Sequence, residues 1–225
     1  MESLWRQFDR IIIFDTETTG LNFTRDQIIE IGAAAWSPEG ERAGMDAFIR
    51  LPVGRQLPPF IVQLTGITDQ RLQEEGLLPQ EAAEDFASLL EGAQRPLLAA
   101  YNAQFDLNFL YHLLQAFGLW RILDSCRHLD VMTVYKDRRD YPHKLCNAIE
   151  AYQLTGAANS HRAIDDARAT LLLLQAMAAE RDDLDQYINL FGVHPKYGLS
   201  GTRFPFITYR RQPYSRQQPL YQLPG

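Results

Sequence analysis

Cysteine is scarce in this chain, and it contains no long hydrophobic run. Among 225 residues there are two cysteines, Cys126 and Cys146, without short metal-ligand spacing. A chain of this length folds without disulfide staples, so we expect reduced thiols and a cytoplasmic protein. No run of about 18 apolar residues occurs, so no membrane-spanning helix is expected. The first ten residues also lack the apolar stretch of a signal peptide.

Acidic residues are absent from one part of the chain. The net charge is −6, yet residues 186–225 contain no Asp or Glu. That segment carries five basic residues: Lys196, Arg203, Arg210, Arg211 and Arg216. Without these five charges, the net charge of the rest of the chain is −11. Net charge bears mainly on solubility, so this uneven distribution is the more informative feature of the charge pattern.

The hydrophobic pattern predicts one α/β domain over about residues 1–190. The apolar run 11–14 predicts a strand buried on both faces, the alternation at 28–36 predicts a half-buried strand, and 45–50 predict a third. Short connections favour antiparallel pairing of these three. A strand is also expected at 97–101, with helices at 79–92, 105–117, 144–154 and 163–180. This order indicates a mixed sheet with helices packed on it.

The first candidate functional element is the pair Asp15 and Glu17, at the end of an apolar strand. Residues i and i+2 of a strand point to the same face, so the two carboxylates lie side by side and repel each other. A divalent cation between them relieves the repulsion, since hard cations such as Mg²⁺ take oxygen ligands. Solvated charges at a strand end are the alternative interpretation of this pair.

Two further elements are ambiguous when taken singly. Asp106 opens a predicted helix, where an acidic residue is already favoured by the helix dipole. His161 precedes the helix at 163–180, with Ser160 as a candidate N-cap. On a continuous helix His161 would share a face with Asp165, whereas a position in or before the cap leaves Asp166 as an equal candidate.

The combination is more specific than its parts. Hydrolysis of a phosphodiester by two metal ions requires clustered carboxylates that hold the ions about 3.5–4 Å apart. It also requires a base with a pKa near neutrality to take a proton from water, and histidine is suited to that role. The groups that supply this chemistry are Asp15, Glu17, Asp106, Asp166 and His161.

Three segments resemble, in order and spacing, the motifs of the DEDDh (DnaQ-like) 3′–5′ exonuclease family. They are FDTETTGLN at 14–22, NAQFD at 102–106 and HRAIDDA at 161–167. The first is most similar to the epsilon-type proofreading subunits of bacterial replicative polymerases. LTGIT at 64–68 and LDVM at 129–132 also resemble the family, with Asp130 expected to cap a helix. The resemblance covers about residues 8–180.

The resemblance implies an RNase H-like fold and a two-metal 3′–5′ exonuclease. Such an enzyme would release nucleoside 5′-monophosphates from single-stranded DNA, with RNA as a second possible substrate. Two Mg²⁺ or Mn²⁺ ions would be held by Asp15, Glu17, Asp106 and, in preference to Asp165, Asp166. His161 would be the general base. The terminal nucleotide would contact Thr16, Thr18, Leu21 and Phe105.

Residues 191–225 form a basic, aromatic- and proline-rich extension outside the resemblance. Seven aromatic residues and five prolines among the last 35 residues predict an extended segment that lies on a surface. It could contact single-stranded nucleic acid, dock a protein partner or a second copy, or pack as a strap on its own domain. Docking supports the alternative function, a subunit that acts chiefly as a partner-binding module of a larger nucleic-acid-processing complex.

Several polar residues are expected to have no functional role. Four histidines are expected at the surface or the edge of the core: His112, His128, His143 and His194. Glu30 and Glu150 lie on regular elements and need no function. The mixed-charge run 136–140 is expected to form a solvated face, and contact with phosphates is its alternative.

Overall fold

A five-stranded sheet forms the centre of the fold. The computed structural model describes residues 1–157, 160–214 and 218–223. The strands of the sheet are β1 (Arg10–Thr18), β2 (Ile28–Ser37), β3 (Gly40–Phe48), β4 (Pro96–Ala100) and β5 (Arg127–Asp130). Their order across the sheet is β3-β2-β1-β4-β5. The first three are antiparallel neighbours, as expected from their short connections, and β4 and β5 run parallel to β1.

Helices cover both faces of this mixed sheet. They are α1 (Glu2–Trp5), α2 (Pro59–Thr65), α3 (Asp69–Glu75), α4 (Pro79–Ser88), α5 (Ala103–Ala116), α6 (Ile122–Ser125), α7 (Val131–Arg138), α8 (Leu145–Ala151) and α9 (Ala163–Glu180). One core cluster joins β1 to α7, α8 and α9, and another joins the opposite face of the sheet to α4 and α5. Within the described ranges, no helix is long and apolar enough to cross a bilayer.

The sequence patterns predicted these elements with uneven accuracy. The helix predicted at 163–180 has those bounds, whereas the one predicted at 79–92 ends at Ser88. The short helices α2 and α3 were not predicted. Strand β2 was predicted to be half-buried, and this is wrong, because nine of its ten residues are buried. The strand has α9 on one face and the α4–α5 cluster on the other, so neither face meets solvent.

Two expectations about polar residues were wrong for the same physical reason. Arg138, in the run expected to be solvated, has a 3% exposed side chain that pairs with Asp183 at 2.6 Å. His128 is fully buried in β5, where its Nε2 lies 2.9 Å from the carbonyl oxygen of Leu123 and its ring stacks on Phe206. In each case a distant segment covers the side chain, and a hydrogen-bond partner, Asp183 for Arg138 and the nearby Leu123 carbonyl for His128, allows the polar group to be buried.

The C-terminal segment packs on its own domain. A 3₁₀ turn at Leu184–Tyr187 leads into β6 (Leu190–Val193), which pairs in parallel with β7 (Thr208–Arg211), and a second turn covers Leu220–Gln222. Among its described residues after Leu190, the buried apolar side chains are Phe191, Phe204, Ile207 and Leu220. The strap arrangement is therefore present, while the division of the chain at residue 190 stays a prediction. Arg216 lies outside the described residues.

Gly32 of β2 allows α9 to approach the sheet closely. A Cβ atom at this position would lie 2.0 Å from the backbone nitrogen of Ile164 and 2.1 Å from the carbonyl carbon of Ala163. Contacts this short with backbone atoms cannot be relieved by a side-chain rotation. The first turn of α9 therefore rests directly on the sheet only because residue 32 has no side chain.

We expect Gly32→Ala to destabilise the fold by about 1–3 kcal/mol or more, since the added methyl group forces α9 away from β2. Urea unfolding followed by circular dichroism measures the change. Gly44→Ala on β3 is the matched control, because a Cβ there would meet only the Glu41 side chain at 3.3 Å and a carbonyl oxygen at 3.6 Å. Equal stability of the two variants would contradict the close approach at Gly32.

Candidate active site

The carboxyl-terminal half of β1 supplies the first two candidate residues. Asp15 and Glu17 are in phase with Ile11 and Ile13, which pack in the cluster that contains α9. In the β1–β2 register, Asp15 lies opposite Gly32 and Glu17 lies opposite Glu30. The two carboxylates therefore face the helix that rests on Gly32.

Thr16, on the other face of β1, holds Asp106. The backbone N–H and the hydroxyl of Thr16 donate to Oδ1 of Asp106 at 3.0 and 2.8 Å. Asp106 lies in the first turn of α5 and is 3% exposed. These two hydrogen bonds fix a carboxylate from a second element beside the strand that carries Asp15 and Glu17.

The backbone around His161 decides which aspartate faces the sheet. His161 adopts a left-handed conformation with φ of 55°, and α9 begins two residues later, at Ala163. His161 therefore lies before the N-cap, which is Arg162, and the rule for a continuous helix does not apply. Asp166 in the first turn is 5% exposed, whereas Asp165 accepts a hydrogen bond from the hydroxyl of Ser160 at 2.7 Å. The expectation that Ser160 caps the helix was wrong.

Three of the candidate side chains converge closely. Glu17, His161 and Asp166 each offer one ligand atom, and these atoms all lie within 4.8 Å of one another. Asp15 and Asp106 lie close enough to interact electrostatically, because the charges of Asp106 and Asp166 contribute to the raised pKa of Asp15. The structure thus brings the five predicted residues together beside the carboxyl-terminal end of the central strand β1.

The acidic groups of this cluster destabilise one another's charged forms. Burial and the negative charges of Asp166 and Glu30 raise the pKa of Glu17 to about 8. Burial and neighbouring carboxylates also raise the pKa of Asp15, and burial raises that of Asp106 although Thr16 opposes the shift. A divalent cation would relieve this repulsion, so the oxygen-rich cluster fits such an ion.

Glu30 is a site residue that the sequence patterns missed. Its side chain is fully buried, Oε1 accepts a hydrogen bond from Nε of Arg162 at 2.8 Å, and Oε2 accepts one from the backbone N–H of Ala163 at 3.2 Å. Glu30 therefore holds the two residues that follow His161. The available signal was a single charged residue inside the apolar strand IIEIGAAAW.

The residues predicted to contact a nucleotide differ widely in how exposed their side chains are. Thr16 and Thr18 are buried, and the Thr18 hydroxyl donates to the carbonyl oxygen of Gly20 at 2.6 Å. Leu21 is 84% exposed, so its side chain is available for an apolar contact. Phe105 is half-buried, with its ring centroid 4.9 Å from that of Phe109. Their roles in substrate binding stay predictions.

Asp130 caps a helix, as expected. Its Oδ2 accepts from the backbone N–H of Thr133 at 3.2 Å at the start of α7. Its Oδ1 accepts from the backbone N–H of Ala103 at 3.0 Å, at the start of α5. With both oxygens used by helix starts, Asp130 has a structural explanation that needs no metal ion.

Comparisons with known proteins agree with this geometry. The family model RNase_T, described as exonuclease, matches residues 12–174. The epsilon subunit of DNA polymerase III from Treponema pallidum is 33% identical over 170 residues, which cover 74% of this chain and 75% of that protein. The 3′–5′ exonuclease DinG of Bacillus subtilis is 35% identical over 170 residues, 73% of this chain and 17% of that protein.

Other relatives are far longer than this chain. The match to the PolC-type DNA polymerase III of Caldanaerobacter subterraneus is 33% identical and covers 71% of this chain but 11% of that protein. Among solved structures, exonuclease I of E. coli with a dA16 oligonucleotide gives a TM-score of 0.70 at 18% identity, covering 80% of this chain and 42% of that one. This likeness shows that the fold is the RNase H-like fold of exonucleases.

The raised pKa of Glu17 predicts a pH-dependent stability in metal-free protein. Its value is about 8 in the folded state against 4.5 for an unperturbed side chain, so the folded state binds the proton more tightly. The stabilisation is complete below pH 4.5 and is lost as the pH rises through about 8. We expect the free energy of unfolding in EDTA to fall by more than about 1 kcal/mol between about pH 5 and 8.

Urea titrations at a series of pH values measure this slope. Glu17→Gln should reduce it, because the variant has no proton to lose at this position, while Asp15 and Asp106 still contribute. Adding Mg²⁺ at the upper pH should restore stability to the wild type, since an ion bound only by the folded state stabilises it. A wild-type slope that Glu17→Gln leaves unchanged would contradict the electrostatic account of the site.

Proposed function

Since this chain belongs to the RNase T exonuclease family, we propose that it is a metal-dependent 3′–5′ exonuclease. It removes nucleoside 5′-monophosphates from the 3′ end of single-stranded nucleic acid, with DNA preferred to RNA. One observation carries the proposal, namely the convergence of Glu17, His161 and Asp166, whose ligand atoms lie within 4.8 Å of one another. Clustered carboxylates with an adjacent imidazole are the groups that phosphodiester hydrolysis requires.

Four carboxylates would hold two Mg²⁺ or Mn²⁺ ions: Asp15, Glu17, Asp106 and Asp166. Their mutual repulsion and their oxygen-only chemistry support this assignment. Bound there, the ions would lower the pKa of water and stabilise the negative charge on the leaving oxygen. The zinc-bound form of the exonuclease I–single-stranded DNA complex of E. coli, a protein with the same fold, supports a metal site in this architecture.

His161 is assigned the role of general base. Its left-handed backbone, outside the helix, places the imidazole beside Glu17 and Asp166. One imidazole nitrogen takes a proton from the water whose oxygen attacks the terminal phosphorus. The bond between phosphorus and the 3′ oxygen then breaks. The leaving 3′ oxygen takes a proton from solvent water to become the 3′-hydroxyl of the shortened strand, and the phosphate stays on the released nucleotide. Glu30 keeps His161 in place through Arg162 and Ala163.

The terminal nucleotide would lie against the loop that follows β1. Thr16 and Thr18 would contact its sugar, Leu21 would make an apolar contact with the base, and Phe105 would support that pocket. Two contacts support this placement, since Asp26 accepts hydrogen bonds from the backbone N–H of Asn22 at 2.9 Å and from the Thr19 hydroxyl at 3.2 Å. These bonds hold the exposed Leu21 in a defined loop.

The preference for DNA rests on the relatives, whose names include DNA polymerase III subunits and DNA polymerases. The same names favour a second candidate function, in which this chain acts chiefly as a partner-binding subunit of a larger nucleic-acid-processing complex. The matched region is a small part of the PolC-type relatives, so in those proteins it is joined to a much longer chain. In that case the chain acts on nucleic acid only when the partner delivers the substrate.

Asp166→Asn should lower the rate of 3′ shortening at least about 100-fold, as expected for loss of a metal ligand. Asp165→Asn is the matched control, because it changes the same charge one residue away, on a side chain bonded to Ser160, and it should retain most of the activity. The measurement uses 5′-labelled single-stranded DNA and RNA of one sequence, with Mg²⁺ or with EDTA.

The products also test the polarity and the substrate. A ladder that shortens from the 3′ end, and disappears with EDTA, supports the enzyme, and the faster ladder identifies the preferred nucleic acid. Absence of shortening with either strand in Mg²⁺ or Mn²⁺ would overturn the stand-alone enzyme and favour the partner-binding subunit. Equal loss of activity in Asp165→Asn and Asp166→Asn would contradict the assignment of Asp166.

A further inference from the structure

A groove of about 1100 Å³ lies between the C-terminal strap and helices α7 and α8. One wall consists of Lys136 on α7, the loop at 140–143 and Lys144 at the start of α8. The other wall consists of residues 193–195 and 212–214 of the strap. We call this the lysine groove. None of its lining residues belongs to the carboxylate cluster or to the predicted nucleotide contacts.

Buried hydrogen bonds fix the strap wall of the lysine groove. The side chain of Gln212 is 5% exposed, and its Nε2 donates to the carbonyl oxygen of Thr133 at 2.9 Å and to Oδ1 of Asp137 at 2.6 Å. The backbone N–H of Gly192 donates to the hydroxyl of Thr133 at 2.8 Å. The strap is thus bonded to α7, and the groove is a permanent part of the fold.

His194 orders the rim of the same wall. Its Nδ1 accepts hydrogen bonds from the backbone N–H groups of Lys196 and Tyr197 at 3.1 and 3.0 Å. Since Nδ1 accepts, the neutral ring carries its hydrogen on Nε2, which lies 3.0 Å from the hydroxyl of Tyr214. The ring of Tyr197 stacks on His194 at 4.5 Å. These contacts hold two tyrosines in defined positions at the surface.

One wall of the groove is bonded to the end of the sheet that carries the candidate active site. In the parallel pairing of β1 and β4, Ile13 lies beside Ala99, so Asp15 and Tyr101, each two residues further on, reach the same edge. The hydroxyl of Tyr101 donates to the carbonyl oxygen of His143, a lining residue, at 2.9 Å. This hydrogen bond joins one wall of the groove to the strand end beside Asp15, so the groove and the candidate active site lie at the same end of the sheet.

The charge of the groove is opposite to that of the chain. Apart from the C-terminal segment, the net charge is strongly negative, and the whole chain has only three lysines. Lys136 and Lys144 line the groove, and Lys196 lies on the strap turn at its rim. Among the lining residues that the structure describes, Asp140 is the one acidic residue. This concentration of lysine suits a polyanion.

The rim also presents aromatic rings to solvent. Tyr141, Tyr197 and Tyr214 are 86%, 73% and 76% exposed. Aromatic rings interleaved with basic side chains are the pattern that binds single-stranded nucleic acid. Bases of any identity stack on the rings, while lysines pair with the phosphates. An acidic peptide would pair with the lysines but would leave the exposed ring of Tyr141 unused.

We propose that the lysine groove binds the single-stranded segment on the 5′ side of the terminal nucleotide and so holds the substrate between successive cleavages. The proposal rests on the proposed function for the identity of the bound strand. The C-terminal segment, which contains no Asp or Glu, then contributes to substrate binding because the strap forms one wall of the groove. Very short substrates, which end before the groove, gain nothing from it.

Binding without catalysis tests the groove independently of activity. Fluorescence anisotropy measures the affinity of wild type for a labelled oligo(dT) of about 15 nucleotides in EDTA at several salt concentrations. Lys136→Gln with Lys144→Gln should weaken binding about tenfold and reduce the salt slope by about 1.4, or 0.7 for each lost phosphate contact. The control is Arg95→Gln with Arg127→Gln. It removes two exposed charges at the other end of the parallel strands, where β4 and β5 begin.

Tyr141 separates stacking from charge. Tyr141→Leu should weaken binding about tenfold, whereas Tyr141→Phe keeps the ring and should bind as wild type does. Since Tyr141 is almost fully exposed, neither change disturbs the core. In Mg²⁺, both Tyr141→Leu and the double lysine variant should slow shortening of the long oligonucleotide and leave hydrolysis of a dinucleotide unchanged.

Three outcomes would overturn the groove proposal. One is wild-type affinity in both the lysine variant and Tyr141→Leu, and another is an equal loss in the arginine control. The third is binding of an acidic peptide that the lysine variant loses while oligonucleotide binding is unchanged, which would make the groove a protein-docking site. If wild type shortens no substrate but binds the oligonucleotide through these residues, the proposed function fails and the groove stands.

Discussion

The close packing of α9 on Gly32 is the contact on which the site depends. Gly32 lies opposite Asp15 in the β1–β2 register, so the first turn of α9 rests on the strand beside that carboxylate. Two residues earlier in β2, Glu30 accepts hydrogen bonds from Arg162 and from the backbone of Ala163. The absence of a side chain at Gly32 thus sets the distance between α9 and the sheet, and the buried carboxylate of Glu30 fixes the orientation of the first turn of α9.

This arrangement gathers like charges that would otherwise separate. Asp166 comes with the first turn of α9, and His161, just before it, lies beside Glu17. The raised pKa of Glu17 shows that the packed fold disfavours its own ionised carboxylates. Such a cluster persists because the apolar core around β1 and α9 holds it together, and because a cation would offset the repulsion.

The sequence allowed some parts of the fold and site to be predicted better than others. The long amphipathic pattern of α9 and the apolar run of β1 were sufficient, since burial of a stripe or a strand dominates local preferences. The buried Arg138 and His128 were misjudged, because Asp183, which pairs with Arg138, and Phe206, which stacks on His128, come from segments distant in the chain. Glu30 was missed for the same reason, as its role exists only once α9 has docked.

By itself, the sequence determined the alternation of elements, the motifs that place the chain among exonucleases, and the basic C-terminal segment. Local chemistry is sufficient for these, since periodicity and residue type are properties of short windows. The motif resemblance favoured Asp166 over Asp165, but only the tertiary structure gave the physical reason, which is the left-handed turn at His161 before the helix. It also decided that the strap and α7 enclose a groove, since two segments about 70 residues apart form its walls.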